Sequence, residues 1–172
     1  LGSTSIILTD KTGTLTTGEM AVAHVLPVHD TKDARMALLV SAVLTSGAFI
    51  ENPDDELSEW RIVGESTDRA LLLAGVSGGI ARKDYEVDHE LIRFYPFDTE
   101  KRLSATLFKS RSKNEYHFFV TGAPEIILEM SHIGVREKKR LEELYQYHTE
   151  RGVRMIASAS RRFSVKPEKL ED

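Results

Sequence analysis

The chain has 172 residues, of which 41% are hydrophobic and 29% are charged, and its formal net charge is −4. These proportions are typical of an ordinary soluble globular domain and exclude a disordered or fibrous chain. The slight negative charge gives no general attraction for nucleic acid or anionic lipid, so any phosphate binding must be local. The absence of cysteine excludes disulfides and thiolate metal sites.

The apolar runs are too short to cross a bilayer. A run such as residues 36–40 (MALLV) falls far short of the roughly 20 residues that a membrane-spanning helix needs. We therefore expect no direct membrane contact by this chain. Leu1 has no methionine before it and no secretory signal follows it, so we expect a piece of a longer protein.

The first predicted element is a buried strand at residues 5–8 (SIIL), which ends in Thr9 and Asp10. The seven residues that start at Asp10 read DKTGTLT. An aspartate at a strand end can attack the terminal phosphorus of a nucleotide, with Lys11 as a cation and Thr12 as a source of a hydroxyl and a carbonyl. The alternative is an ordinary polar turn.

The following segments predict alternating strands and helices. Residues 20–28 are β-rich, and Asp30 or Thr31 caps a helix from Lys32 to about Ser46. The remaining predicted elements are, in chain order, an acidic loop at 47–61, a helix capped by Ser66 or Thr67 that ends at Gly75, strands at 91–97, 103–109 and 116–121, helices at 123–130 and 136–151, and a strand at 153–160. The last two of the three central strands form an antiparallel hairpin, so the fold class is α+β, with an antiparallel sheet flanked by helices.

The string DKTGTLT at residues 10–16 resembles the phosphorylation signature of the P-type ATPases. Four further segments resemble elements of that family and occur in the family's order: VGESTDRAL at 63–71, PFDTEKR at 96–102, TGAPE at 121–125 and GVRMIASA at 152–159. The resemblance covers nearly the whole chain. It implies that residues 1–19 are the first strand and loop of a haloacid-dehalogenase-like phosphorylation domain and that residues 20–172 are the nucleotide-binding domain.

The resemblance also implies roles at the N-terminal motif. Asp10 would be the phospho-acceptor, with Lys11 and Thr12 as its catalytic neighbours, and Asp10 and the Thr12 carbonyl would bind Mg²⁺. Family members carry a threonine, a lysine and further aspartates later in the chain, in T-G-D and G-D-G-x-N-D segments, which do not occur among these 172 residues. We therefore expect an incomplete Mg²⁺ site, and a fragment that binds nucleotide weakly without turnover.

The adenine side of the implied nucleotide site involves three residues. Phe97 matches the family's stacking phenylalanine, although a core aromatic at a strand end is the general alternative. Glu65 and Asp68 match two acidic positions that would contact the adenine amino group or the ribose. Acidic residues are also what a helix N-terminus prefers, so a structural role is the alternative for Asp68.

The phosphate side of the implied site is basic. Lys101 or Arg102 would contact phosphate, and the sequence leaves open which of the two does so. Arg154 matches a family arginine that could bind phosphate or ribose oxygens. Thr121 stands where the family commonly has lysine, so we expect one hydrogen bond and weaker binding there, and Gly122 would let the backbone approach the ligand.

The resemblance implies that the parent protein couples ATP hydrolysis, through an aspartyl-phosphate at Asp10, to cation transport. Its partners would be ATP or ADP and the phosphorylation, actuator and membrane domains of the same polypeptide, with no nucleic acid. We expect a monomeric cytoplasmic domain of an integral membrane protein, with hinges near residues 17–21 and near the C-terminal end. Two alternatives are a soluble haloacid-dehalogenase-type phosphatase and a non-catalytic nucleotide-sensing module.

Overall fold

A computed structural model describes residues 17–167. The predicted strand at 5–8 and the residues Asp10, Lys11 and Thr12 therefore lie outside the described residues. No helix within 17–167 is long and apolar enough to cross a membrane.

The described chain combines helices with two antiparallel sheets, which confirms the α+β class. The helices are α1 (Lys32–Thr45), α2 (Ser66–Ser77), α3 (Arg82–Asp88), α4 (Pro124–Met130) and α5 (Val135–Thr149). The strands are β1 (Phe49–Ile50), β2 (Ile62–Val63), β3 (His89–Asp98), β4 (Leu103–Ser110), β5 (Tyr116–Gly122) and β6 (Ala157–Phe163). The main sheet has the order β3-β4-β5-β6, and β1 pairs with β2 in a separate ribbon.

The register of the main sheet gives it two distinct ends. At one end Leu103 pairs with both Asp98 and Gly122, and Gly122 pairs with Ala157; we call this the Gly122 end. At the other end His117 pairs with Phe108 and Arg162, and we call this the His117 end.

Strand β4 is the centre of the core, and seven of its eight residues are buried. On one face Leu103 and Ala105 pack with Ile127 of α4, and on the other face Phe108 packs with Leu44 of α1. Because successive side chains of a strand point to opposite faces, helices on both sides of the sheet bury nearly all of β4. This explains its nearly continuous run of apolar and small residues.

Helices α1 and α2 meet at a glycine. A Cβ atom on Gly75 would lie 2.0 Å from Cγ2 of Val43, so only glycine allows this close approach. The prediction that α2 ends at Gly75 was wrong, because the helix continues through this contact to Ser77. The predicted cap was also wrong, because Glu65 occupies the cap position and its side chain makes no capping hydrogen bond. For α1 the Thr31 alternative is confirmed, since its hydroxyl accepts from the Ala34 N–H at 3.1 Å.

Residues 20–28 contain no strand, so the prediction of β structure there was wrong. Side chains from two helices bind carbonyl groups of this segment in place of a neighbouring strand. The Arg35 guanidinium donates to the Val25 carbonyl at 3.0 Å, and Arg140 donates to the Val28 carbonyl.

Two further differences concern α3 and β6. Helix α3 was not predicted, and Arg82 at its start donates to the carbonyls of Val43, Leu44 and Ser46 at 2.8–3.2 Å. Strand β6 begins at Ala157, four residues later than predicted.

Candidate functional site

A cavity of about 270 Å³ opens at the Gly122 end of the sheet. Its walls come from elements that are distant in sequence: α2, the end of β3, the start of β4, the junction of β5 with α4, α5, and the segment before β6. Of the predicted site residues in the described chain, six line this cavity, namely Asp68, Phe97, Arg102, Thr121, Gly122 and Arg154. The fold thus brings together most of the residues that the sequence singled out.

The turn between β3 and β4 positions Phe97 and Arg102. The Asp98 side chain accepts from the backbone N–H groups of Glu100 at 2.8 Å and Lys101 at 3.0 Å, and its carbonyl accepts from Arg102 at 2.7 Å. These backbone hydrogen bonds hold the pKa of the Asp98 carboxyl below its usual range. Arg102 completes the turn with a φ of 55°, in the left-handed region that few non-glycine residues adopt.

Phe97 is not a core aromatic. Its side chain is 54% exposed and lines the cavity, whereas the core phenylalanine Phe108 is fully buried. The general alternative for Phe97, a core residue at a strand end, is thus not what the structure shows. A half-exposed ring beside a cavity offers a flat apolar surface to a ligand.

Asp68 is a half-buried carboxylate on the first turn of α2. Its Oδ2 accepts from the Gly47 N–H at 3.2 Å, and its carbonyl accepts from the Ser46 hydroxyl at 3.0 Å. Burial raises the pKa of Asp68 above its usual value, the Gly47 hydrogen bond opposes this shift, and the nearby Glu65 charge adds to it. Because the charged form is held at a cost, a donor in the cavity would stabilise it.

Glu65 lies outside the cavity wall. It is the exposed residue that precedes α2. Its negative charge contributes to the raised pKa of Asp68.

The structure separates the two basic candidates. Of the described residues, Arg102 lines the cavity and Lys101 does not. The Arg102 guanidinium lies 2.6 Å from Oε1 of Glu125, the second residue of α4, which also lines the cavity. Arg154 lies in the irregular segment before β6 and provides a second guanidinium on the wall.

Thr121 is committed to the fold. Its side chain is 4% exposed, and its hydroxyl lies 2.8 Å from those of both Thr45 on α1 and Ser158 on β6. A ligand that accepted a hydrogen bond from this hydroxyl would have to compete with these partners for its single proton. The neighbouring Gly122 is required by close packing, because a Cβ atom there would lie 2.4 Å from the Arg102 carbonyl oxygen.

A second, larger cavity of about 440 Å³ lies beneath residues 20–28. Among the described residues the two cavities share seven lining residues, namely Thr67, Leu71, Pro124, Tyr145, Arg154, Met155 and Ile156. The lining of the larger cavity within the described chain is mostly apolar. It includes Arg154, His24 and His148 but no carboxylate, and of the predicted site residues it contains only Arg154. The smaller cavity is therefore the candidate site.

Residues 17–167 contain no group of three or more histidine, aspartate or glutamate side chains placed to hold a metal ion. The predicted Mg²⁺ ligands, Asp10 and Thr12, lie outside the described residues.

Several residues of the site were not predicted to act in it. No role in the site was predicted for Glu125, and the roles of Thr45 and Ser158 give no local signal in the sequence. Asp98 could have been found, since an aspartate whose side chain accepts from backbone groups two and three residues later is a typical turn former.

The chain is similar to known proteins. Residues 34–172 match the family model described as P-type ATPase, cytoplasmic domain N. The chain is 27% identical over 157 residues to a calcium-transporting ATPase of Bacillus subtilis, covering 76% of this chain and 17% of that protein. It is 31% identical over 129 residues to calcium-transporting ATPase 1 of Lactococcus lactis, covering 74% of this chain and 14% of the relative.

A plant relative, the plasma membrane-type calcium-transporting ATPase 12 of Arabidopsis thaliana, is 30% identical over 140 residues, with 76% of this chain and 14% of the relative covered. The chain thus spans less than a fifth of the length of these relatives. Because the family model covers most of the chain, including every predicted site residue in the described part, the chain belongs to the family of P-type ATPase cytoplasmic N domains.

Proposed function

We propose that the chain binds ATP in the cavity at the Gly122 end of the sheet, as the nucleotide-binding part of a P-type cation-transporting ATPase. The observation that carries this proposal is the convergence of an open aromatic ring, a half-buried carboxylate and two guanidinium groups on one cavity. These are Phe97, Asp68, Arg102 and Arg154.

The adenine would stack on Phe97 and bond to Asp68. Stacking of a base on an aromatic side chain contributes about 1–3 kcal/mol. The exocyclic amino group of adenine is a donor, and Asp68 has acceptor capacity left because the Gly47 N–H binds one of its two oxygens. Such a bond would compensate for the burial that raises the pKa of Asp68. Guanine carries a carbonyl at this position, so the same contact would select against GTP.

The phosphates would extend from the cavity toward Arg102 and Arg154. A volume of about 270 Å³ is just below the usual range for ligand pockets, roughly 300–1,000 Å³, so it suits part of a nucleotide rather than all of it. Both arginines are exposed residues, and a guanidinium can bind phosphate oxygens with two parallel hydrogen bonds. The terminal phosphate would then remain accessible to a second domain.

In the whole protein, the carboxylate of Asp10 would attack the γ-phosphorus of the bound ATP. A bond forms between the Asp10 oxygen and phosphorus, and the bond to the β,γ-bridging oxygen breaks, which releases ADP and leaves an acyl-phosphate. Lys11 would stabilise the negative charge that develops. Asp10 and the Thr12 carbonyl are donors of the kind that Mg²⁺ prefers, and Mg²⁺ would neutralise phosphate charge there.

The whole protein would use this acyl-phosphate to move a cation across a membrane, with the present chain on the cytoplasmic side. Calcium is the first candidate, because the similar proteins of Bacillus subtilis, Lactococcus lactis and Arabidopsis thaliana are named calcium-transporting ATPases. Domain closure about a hinge near residues 17–21 would bring the nucleotide to Asp10.

Nucleotide binding can be tested by NMR titration of the 172-residue chain with ATP, ADP, AMP and GTP. We expect shifts at Asp68, Phe97 and Gly122, with a Kd for ATP on the order of 0.1–10 mM and weaker binding of GTP. Phe97→Ala should remove the binding. Phe49→Ala is the matched control, since Phe49 is 55% exposed and lines neither cavity. Equal affinities of wild type and Phe97→Ala would contradict the stacking role.

The coupled activity can be tested in the full-length protein reconstituted into vesicles. We expect ATP-dependent calcium uptake and an acid-stable, hydroxylamine-sensitive phosphoenzyme, both lost in Asp10→Asn. A soluble phosphatase would instead hydrolyse simple phosphate esters without a nucleotide preference, and a sensing module would bind ATP without forming a phosphoenzyme. Either of these results would overturn the transport proposal.

A further inference from the structure

The ion pair between Arg102 and Glu125 lies on the wall of the candidate nucleotide site. Arg102 Nη1 and Glu125 Oε1 are 2.6 Å apart, and both side chains line the cavity. One of the two arginines proposed to bind phosphate therefore already has an anionic partner.

Backbone contacts hold the two residues opposite each other. The Ala123 N–H donates to the Arg102 carbonyl at 2.9 Å, and Gly122 packs directly against the same carbonyl. Glu125 follows two residues later, in the first turn of α4. Because these contacts hold the two backbone segments side by side, the Arg102 and Glu125 side chains can meet without a change in the fold.

The pair is open to exchange. The side chains of Arg102 and Glu125 are 48% and 44% exposed, and pairs in such surroundings are only weakly stabilised. A carboxylate and a phosphate compete for the same donors of a guanidinium. A phosphate that reaches Arg102 would therefore displace Glu125, and the freed carboxylate would remain close to the phosphate charge.

We propose that Glu125 is an internal competitor for phosphate, which occupies Arg102 in the absence of nucleotide and thereby lowers the affinity of the site for phosphorylated ligands. This inference rests on the proposed nucleotide binding. Glu125 acts through Arg102, so it is a positioning residue that weakens ATP binding and leaves the binding of the base unchanged. The proposal gives Glu125 a role beyond the start of α4.

Isothermal titration of wild type and Glu125→Gln with ATP, ADP, AMP and adenosine tests the proposal. We expect Glu125→Gln to bind ATP about two- to five-fold more tightly, with a smaller gain for AMP and none for adenosine. A purely structural role of Glu125 would change the affinity for all four ligands alike. Raising the salt concentration should reduce the gain, because it is electrostatic.

Two further variants complete the test. Glu129→Gln is the matched control, since Glu129 is an exposed glutamate of α4 that lines neither cavity, and it should leave ATP affinity unchanged. In the Arg102→Gln background, adding Glu125→Gln should give at most a fraction of its single-variant gain. Equal ATP affinity of wild type and Glu125→Gln overturns the inference while the proposed function stands. Absence of ATP binding by the wild type overturns both.

Discussion

The two ends of the main sheet differ in the exposure and hydrogen bonding of their polar side chains. At the Gly122 end, Asp68, Phe97 and Arg102 surround a cavity and remain partly open to solvent. At the His117 end, polar and aromatic side chains bind each other and are largely covered. The first arrangement leaves donors and acceptors for a ligand, whereas the second uses most of them within the fold.

The His117 end shows this internal pairing, and within the described chain an exception is Nε2 of His117, which is buried without a hydrogen bond and lies 3.6 Å from Oε2 of Glu115. The Tyr85 hydroxyl lies 2.6 Å from Nδ1 of His117, and the His89 ring stacks on the Tyr85 ring with 4.1 Å between centroids. Phe108 and Phe119 pack edge-on against Tyr85. Burial raises the pKa of Tyr85 to about 12 and lowers that of His117. Burial thus favours the neutral forms of Tyr85 and His117, whereas the Gly122 end presents Asp68, Arg102 and Arg154 to a cavity. The Gly122 end is therefore the one suited to an ionic ligand.

The largest effect expected from this contrast concerns the aromatic residues. Phe108→Ala at the His117 end should lower the free energy of unfolding by about 3–5 kcal/mol, because Phe108 is fully buried. Phe97→Ala at the Gly122 end should leave stability nearly unchanged and remove nucleotide binding. Urea denaturation measures the first quantity and titration the second. Comparable destabilisation by both variants would contradict the contrast.

A smaller effect is expected for the glycine at the edge of the cavity. Gly122→Ala should destabilise the fold by about 1–3 kcal/mol, because the added Cβ would lie 2.4 Å from the Arg102 carbonyl oxygen and 2.8 Å from the Leu103 Cα. Gly47→Ala is a milder comparison, since its nearest contact is the end of the Asp68 side chain at 3.0 Å. Thermal unfolding should show a larger fall in melting temperature for Gly122→Ala than for Gly47→Ala. Equal falls would contradict the tighter packing at Gly122.

Removal of the Tyr85 hydrogen bond should lower the stability of the fold at the His117 end by a smaller amount. Tyr85→Phe keeps the ring contacts and removes the hydroxyl that bonds to His117, so we expect a loss of about 0.5–1.5 kcal/mol in unfolding free energy. Tyr147→Phe is the control, because Tyr147 is 52% exposed. An equal response of the two variants would show that the buried bond contributes nothing.

The smallest expected effect is a dependence of stability on pH. The pKa of His117 is lowered in the folded protein, mainly by burial, so the unfolded state binds the proton more readily. Stability should therefore be highest above the unfolded value of about 6.5 and fall as the pH drops through and below it. Asp68 has the opposite sign, because its raised pKa penalises the folded state as the pH rises past about 4.

Denaturation midpoints between pH 5 and 8 test this prediction. His117→Gln should flatten the profile in that interval. Asp68→Asn should stabilise the chain at pH 7, since it removes a buried charge and keeps an acceptor for Gly47, and it should weaken ATP binding. A wild-type profile that rises toward pH 5 would contradict the sign derived for His117.

Much of the fold could be predicted from local patterns. The hairpin of β4 and β5, the helix after Pro124 and the cap of α1 at Thr31 depend on neighbouring residues, and all three are confirmed. The predicted end of α2 failed because Gly75 serves contact with Val43 on another helix. The predicted strand at 20–28 failed because Arg35 and Arg140, from two helices, bind its carbonyls.

The candidate site likewise has features that the local sequence predicts and features that only the packing of distant elements decides. The sequence by itself determined the family, the α+β class and the candidate residues Phe97 and Arg154, because short motifs carry that information. Only the tertiary structure decided that Arg102 rather than Lys101 faces the cavity, that Thr121 bonds to Thr45, and that Glu125 holds Arg102. The partners in the last two pairs are 76 and 23 residues apart in the chain. Local propensity cannot specify such contacts, since packing of distant elements brings them together.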